Sequence, residues 1–312
     1  MSAETDFPTE PDEPGHEPGH EPGHKSDHKF DQADATSAIV SAWDRAENAA
    51  AYARFCAASD YYRSVSRALV GAAQLTQGER VCDLGCGTGE TLLAITQVLG
   101  ATAQVVAIDP ALAMIRQAQQ VSWPEGIEFV RGTSRQLSSL RGNHGFDAVL
   151  CSSAAWLHPH REALLREIFS SLAPRGRLAL SIPSEFVGES AHLTEPSAQR
   201  FLSLLSSLRT ELGLWPAQQS LPSASTLSAF TLSSWIDQLS ALGFARVSVL
   251  VHPFVMPIRD WAAHLAIPAV LEGLLPEASE TQRRQFVLQL TQRCAQDEQA
   301  ARPWHLIVAW RA

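Results

Sequence analysis

The sequence predicts one α/β domain, with seven mostly parallel strands in a doubly wound sheet and helices on both faces. Three observations predict it. From Arg80 onward, short apolar segments alternate with helical ones. The strand segments are apolar on both faces, as in a sheet covered by helices. Right-handed crossovers between such strands fix a doubly wound topology. With 312 residues, 45% of them hydrophobic, the chain is long enough for one large domain with a sizeable core.

Residues 1–31 form a tail that has almost nothing to bury. Glu-Pro-Gly-His occurs there three times, at 13–16, 17–20 and 21–24. Proline and glycine at that density prevent a helix, so the histidines form no helical stripe. Such a tail can hold Zn or Ni loosely, or be a solvated repeat with no part in activity. Residues 32–312 form the domain. A helical lead-in covers Ser37–Phe55, with Trp43, Tyr52 and Phe55 on one side, and a second helix covers Tyr61–Leu75. Strands follow at Arg80–Leu84, Gln104–Asp109, Ile127–Arg131, Phe146–Cys151 and Arg177–Ile182. Helices intervene at Glu90–Leu99, Ala111–Gln120 and His160–Leu172, and Gly100 stands where a C-terminal cap belongs. The Ser-, Leu-, Pro- and Gln-rich segment 183–232 interrupts the pattern, with a helix at Phe201–Leu212. Because it follows the fifth strand, it is expected at the carboxyl edge of the sheet, as an inserted lid. A helix at Ser233–Leu242, a strand at Ala245–Val251, helices at Trp261–Leu275 and Glu280–Ala295, and a last strand at His305–Trp310 complete the reading.

Charge is uneven. The formal net charge is -9, and residues 1–31 hold nine acidic side chains against two lysines. The folded part is therefore nearly neutral and offers no basic excess for a nucleic-acid backbone. The five cysteines are odd in number and none has CxxC spacing, which fits free thiols in a reducing compartment. No basic-then-apolar segment opens the chain, and no apolar run approaches about 18 residues. A cytoplasmic protein with no membrane partner is expected. No His/Asp/Cys grouping in the folded region suggests a metal site. No G-x-S-x-G elbow supports a hydrolase.

The decisive stretch is Asp83-Leu84-Gly85-Cys86-Gly87-Thr88-Gly89, which joins the first strand to its helix. Glycines at alternate positions let the backbone turn tightly and approach a ligand. A dinucleotide loop needs G-x-G-x-x-G, and here the spacing is G-x-G-x-G. Asp83 would repel a pyrophosphate, and it suits an ammonium or an ordered water. An NAD(P)-linked oxidoreductase is thus disfavoured. Asp109, at the end of the second strand, can accept hydrogen bonds from both hydroxyls of a ribose.

This pairing closely resembles the class I S-adenosylmethionine-dependent methyltransferases over about residues 41–182. The resemblance implies S-adenosyl-L-methionine as cofactor. It implies that Asp83, Gly85, Cys86, Gly87 and Gly89 wrap the methionine part and that Asp109 binds the ribose. Pro110 and Met114 would border the adenine. The family often has an aspartate after the third strand, where this chain has Thr133, followed by Ser134. Phe146–Ser152 resembles the fourth strand, with Ser152 at the cofactor edge. The family's Pro-Gly-Gly turn before the fifth strand appears here as Pro174-Arg175-Gly176. Leu242–Val247 resembles the lead into the sixth strand.

The methyl of a sulfonium is already activated, so the protein must align it and exclude water. A base helps if the acceptor is a hydroxyl or a carbon acid. His158, beyond the fourth strand, is the first candidate, and His160, His192, Glu185 and His252 are others. Trp156 reads as a wall of the methyl or acceptor pocket. Tyr52 either closes over the cofactor or packs in the core. Phe201 and Trp215, with His192, are placed on the acceptor side of the inserted segment. The expected reaction is methyl transfer to a small or mid-sized organic molecule, with a hydroxyl oxygen of a secondary metabolite first. Transfer to carbon or nitrogen, and a non-catalytic cofactor-binding protein, remain as alternatives. Oligomeric state is not legible.

Overall fold

The computed structural model describes residues 38–158, 160–189, 191–214, 231–294 and 298–312. The tail at 1–31 and Trp215 lie outside the described residues, as does the side chain of His192. Three helices lead in: α1 (Ala38–Trp43), α2 (Ala46–Ala58) and α3 (Tyr61–Ala73). Strands β1 (Arg80–Leu84), β2 (Gln104–Asp109), β3 (Ile127–Arg131), β4 (Phe146–Ser152) and β5 (Leu172–Pro183) alternate with α4 (Glu90–Leu99), α5 (Leu112–Ala118), α6 (Leu137–Leu140) and α7 (Arg161–Ser171). Then come α8 (Pro196–Glu211), α9 (Leu232–Ala241), β6 (Phe244–His252), β7 (Val255–Pro257), α10 (Ile258–Leu265), α11 (Pro268–Leu274), α12 (Glu280–Arg293), β8 (Gln299–Ala301) and β9 (Trp304–Arg311).

All seven expected strands form one sheet, in the order β3-β2-β1-β4-β5-β9-β6. The first five are mutually parallel, and β9 runs antiparallel to both β5 and β6. Successive residues point to opposite faces; both faces of the inner strands are buried, while the edge strands β3 and β6 are partly exposed. Cys82, Val106 and Ile108 join one core with Leu164, Ile168 and Trp235. Val81, Val105 and Ala107 join another with Leu69, Leu92 and Ile95. A third core adjoins the Trp304 end of β9 and unites α2, α3, α8 and the C-terminal helices around Tyr61, Phe201, Trp261 and Phe286. The two-stranded β7–β8 ribbon was not expected from sequence.

Where helices differ from expectation, single residues explain it. The expected helix Ser37–Phe55 breaks at Asp44–Arg45. Arg45 is extended (φ -81°, ψ 130°), and the carboxylate of Asp44 before it accepts from the Ala113 amide at 3.0 Å and from Arg131 at 3.1 Å. The lead-in is thereby fastened onto the start of α5. The expected helix Trp261–Leu275 divides into α10 and α11. Pro268 disfavours helical geometry at Ile267, which is extended (φ -62°, ψ 124°). Helix α8 starts five residues earlier than expected, at Pro196, because proline is favoured in a first helical turn.

The first residues of β5 contain the one departure from the family's glycine pattern. Arg175 stands at φ +63°, exposed, where the family has glycine. Left-handed geometry costs a non-glycine residue about 1–2 kcal/mol. Glycine there also loses more chain entropy on folding. Arg175→Gly is therefore expected to raise stability by up to about 1 kcal/mol, seen as a higher urea midpoint with an unchanged slope.

Candidate functional site

The carboxyl ends of β1 to β4 converge on the glycine loop. Gly85, Gly87 and Gly89 have φ of +75°, +54° and +97°. A Cβ on Gly85 would lie 2.7 Å from that of Ala154, and one on Gly89 would lie 2.9 Å from the Trp123 ring. A Cβ on Gly87 would meet nothing within 4 Å. The outer two glycines are thus required by packing. Gly87 borders open space, the side from which a ligand can approach.

The loop's amides are committed inward. Those of Gly85 and Cys86 donate to the Ile108 carbonyl at 2.7 and 3.0 Å, and that of Gly89 donates to Cys86 at 2.9 Å. The Gly87 amide donates to Asp109 Oδ2 at 2.9 Å, while Asp109 Oδ1 accepts from the Ala111 amide at 2.8 Å. Despite its glycines, this loop does not aim these four amides at an anion. Asp109 keeps lone pairs for two further donors. Burial pushes its carboxyl up to about 6, against the pull of those two amides.

Asp83 is fully buried near the end of β1, and no side chain bonds either of its oxygens; among backbone groups the Leu92 amide pulls its pKa down. Burial first, and the nearby Asp109 second, push it up to about 8. An unpaired buried carboxyl is costly, and such groups occur where a ligand completes them. Other buried polar atoms here are likewise unpartnered: Thr88 Oγ1, Ser134 Oγ, Ser153 Oγ and Trp156 Nε1. They follow β1, β3 and β4. Together they fit a ligand with a cationic amino group, hydroxyls and ring nitrogens, as S-adenosyl-L-methionine has.

Other candidates fall around this set. Met114 packs with Ala49, Ala111, Ala113, Trp43 and Tyr52. Tyr52 also sits beside Cys56, which lies beside Thr88, so the core and cofactor readings of Tyr52 describe one position. Pro110 offers its carbonyl to Arg131. The Thr133 hydroxyl and amide are engaged with Gln136 in a capping box, which leaves Ser134 as the open hydroxyl after β3. Ser152 bonds Ser181 at 2.9 Å. Ser153 holds φ +59° with its amide on Ser181, a strained geometry that sequence reading did not find. Trp156 stacks on Phe186 at 3.9 Å and 15°. His158 is half-buried, and burial lowers its pKa. Its Nδ1 accepts from the His160 amide at 3.1 Å. Phe201 lies apart from this set, buried against Trp261 at 4.6 Å. Among the described residues, no three His, Cys, Asp or Glu side chains group to hold a metal, and no helix is long and apolar enough to cross a membrane.

Asp83 makes stability depend on pH in the ligand-free protein. Its folded-state pKa is raised, so the protonated carboxyl's contribution is complete below the unfolded value of 3.8 and is lost as pH rises to about 8. Asp83→Asn is expected to melt like the parent near the bottom of that window. It should melt progressively higher than the parent as pH rises, levelling off above about pH 8. A constant difference across thermal scans in that range would show that Asp83 is not held protonated.

Residues 81–176 match the family described as a methyltransferase domain. Over 201 residues, 62% of this chain, it is 28% identical to a trans-aconitate 2-methyltransferase of Deinococcus radiodurans, and it covers 72% of that protein. A trans-aconitate 2-methyltransferase of Delftia acidovorans is 33% identical over 44% of this chain. A nocamycin O-methyltransferase of Saccharothrix syringae is 29% identical over 40% of it. The chain spans about half the length of these last two, 48% and 45%. The strand-end aspartates, the glycine loop between them and the family match agree: residues 81–176 form a methyltransferase domain of the class I S-adenosylmethionine-dependent fold, with S-adenosyl-L-methionine as its cofactor.

Proposed function

We propose that this enzyme methylates an oxygen of a small or mid-sized organic molecule. The observation that carries the cofactor half of this reading is the unpartnered Asp83 carboxyl inside a loop whose amides are turned inward. When bound, S-adenosyl-L-methionine supplies a methyl group activated by its sulfonium charge. Asp83 receives the amino group and gives up its proton. Asp109 takes the ribose hydroxyls on its spare lone pairs, and the Gly87 amide fixes its orientation. Met114 and Pro110 border the adenine, and Ser134 rather than Thr133 offers it a hydroxyl. Tyr52 covers the cofactor from α2. Trp156, backed by Phe186, walls the methyl side and keeps water out. Segment 183–232 contributes the acceptor side, since Glu185 and Phe186 stand directly beyond β5.

His158 acts as the base toward the acceptor hydroxyl. Burial lowers its pKa, so it is neutral and able to accept a proton at neutral pH. Its Nδ1 is held by the His160 amide, which leaves Nε2 to take the proton. The near-neutral folded part suits an organic acceptor better than nucleic acid. Of the relatives named above, the nocamycin enzyme carries an O-methyltransferase name, which supports oxygen as the acceptor atom.

Calorimetry with S-adenosylhomocysteine is expected to show binding that releases about one proton near pH 7, read from the dependence of the heat on buffer ionisation. The release should vanish above about pH 8, where Asp83 is already ionised. Asp109→Ala should weaken binding at least about tenfold. Binding of NAD in place of S-adenosylhomocysteine would overturn the assignment. His158→Gln is expected to lower kcat about a hundredfold with unchanged S-adenosylhomocysteine affinity. In the parent enzyme kcat should fall as pH drops through the lowered His158 pKa. A variant with parental kcat would remove His158 from the chemistry.

A further inference from the structure

The aromatic core beside the cofactor loop contains a second set of unsatisfied polar atoms. Tyr62 lies 5.2 Å from Tyr52, ring to ring, and 4.7 Å from Tyr61. Trp304 packs against both, at 6.3 Å from Tyr62 and 5.6 Å from Tyr61. The Tyr62 hydroxyl shares a 2.8 Å hydrogen bond with His264 Nε2. Three neighbouring atoms are buried without partners: His264 Nδ1, Trp304 Nε1 and Arg302 Nη1. Their side chains are more than nine-tenths buried, at 7%, 1% and 8% exposed. Each such atom costs about 1–3 kcal/mol if nothing completes it. The three gather around one pair of tyrosines, and the Trp304 indole N–H lies beside the Tyr61 hydroxyl.

Their position is informative. Trp304 pairs with Pro183 and His252, so Arg302 and Trp304 stand at the carboxyl edge of the sheet. The cofactor loop ends at that same edge. Tyr52 beside Cys56 and Thr88 on one side, and Tyr62 on the other, bridge the cofactor loop and this polar set. Charge there is balanced. Glu185 accepts from Arg302 Nε at 3.2 Å and Nη2 at 2.8 Å. Burial, and Arg302 after it, hold His264 down to about 3, so the imidazole is neutral. Burial likewise raises the phenols of Tyr61 and Tyr62, so they keep their protons.

We propose that Arg302, Trp304 and the His264–Tyr62 pair form the acceptor-binding subsite, and that they take an uncharged, flat molecule through a carbonyl oxygen. Arg302 Nη1 and Trp304 Nε1 are donors only, so the ligand atom is an acceptor. The Tyr61, Tyr62 and Trp304 rings give it flat apolar walls. A carboxylate would bring a net negative charge into a site that Glu185 has already neutralised, and burying it would cost several kcal/mol. The acceptor therefore differs in charge from the tricarboxylate that gives the trans-aconitate enzymes their name. This inference rests on the methyltransferase reading.

The test uses the full chain saturated with S-adenosylhomocysteine, whose binding is measured first. Loss of that step would overturn the cofactor assignment and not this one. Indole N–H resonances are then recorded, with Trp304 assigned through Trp304→Phe. Para-hydroxyacetophenone is titrated against para-hydroxybenzoate, its carboxylate counterpart. The ketone is expected to shift the Trp304 resonance and the carboxylate to leave it in place. Trp304→Phe and His264→Phe should each weaken ketone binding about three- to tenfold, with S-adenosylhomocysteine affinity unchanged. Tighter binding of the carboxylate would overturn the charge argument. A Trp304 signal indifferent to both would mean that buried water alone completes these atoms, and would overturn the site. Should His264→Phe melt early, the Trp304→Phe titration decides alone.

Discussion

The structure is organised around one electrostatic constraint, a carboxyl held fully inside the protein with no side chain to bond it. Asp83 ends a strand that is buried on both faces, so water cannot reach it. The amides of Gly85, Cys86, Gly87 and Gly89 turn toward Ile108, Asp109 and Cys86. In a phosphate loop, glycines free the amides to face an anion. Here the glycines let the backbone fold inward, and the strand-end acids Asp83 and Asp109 are left beside the loop. A differently spaced run of glycines thus serves the opposite charge. What separates the two cases is where the N–H groups are spent.

That constraint extends to the surrounding helices. A buried acid is tolerable only where bulk water stays out and a cation can enter. The lead-in helices supply the enclosure. Asp44 anchors them to α5 and β3, and Trp43 and Tyr52 pack onto Met114 and Ala111. Helices α2 and α3 also belong to the core formed by α8 and the C-terminal helices. The cover over the cofactor loop and the core around Tyr61 are therefore one packed unit.

Legibility in the sequence followed periodicity and local motif. The five parallel strands were readable because each is a short, mainly apolar run between helical segments, and Asp83, the glycines and Asp109 were readable because they are contiguous or end a strand. Helix ends were missed where a side chain left the helix for a distant partner, as Asp44 does. Between Thr133 and Ser134 the sequence was undecided, since only the capping box with Gln136 shows which hydroxyl is already used. Ser153 was passed over because nothing in the residue type signals a positive φ. Phe201 was placed by segment, and its actual surroundings are Trp261 and the third core.

The largest omission was the group around Arg302, and its cause is topological. A sequence shows that residues 305–310 form a strand, and it does not show which way the strand runs. In a parallel arrangement the residues before β9 would lie at the amino edge of the sheet, far from any site. Because β9 inserts antiparallel between β5 and β6, its entry is carried to the carboxyl edge, opposite Pro183 and His252. One reversed strand therefore delivers Arg302 and Trp304 to the edge where β1 and β2 present Asp83 and Asp109. It also explains why Glu185, just beyond β5, is within reach of Arg302 across 117 residues of chain. The parallel half of the sheet builds a cofactor site from neighbouring loops. The antiparallel strand brings distant chain to that same edge, where the acceptor must meet the methyl group.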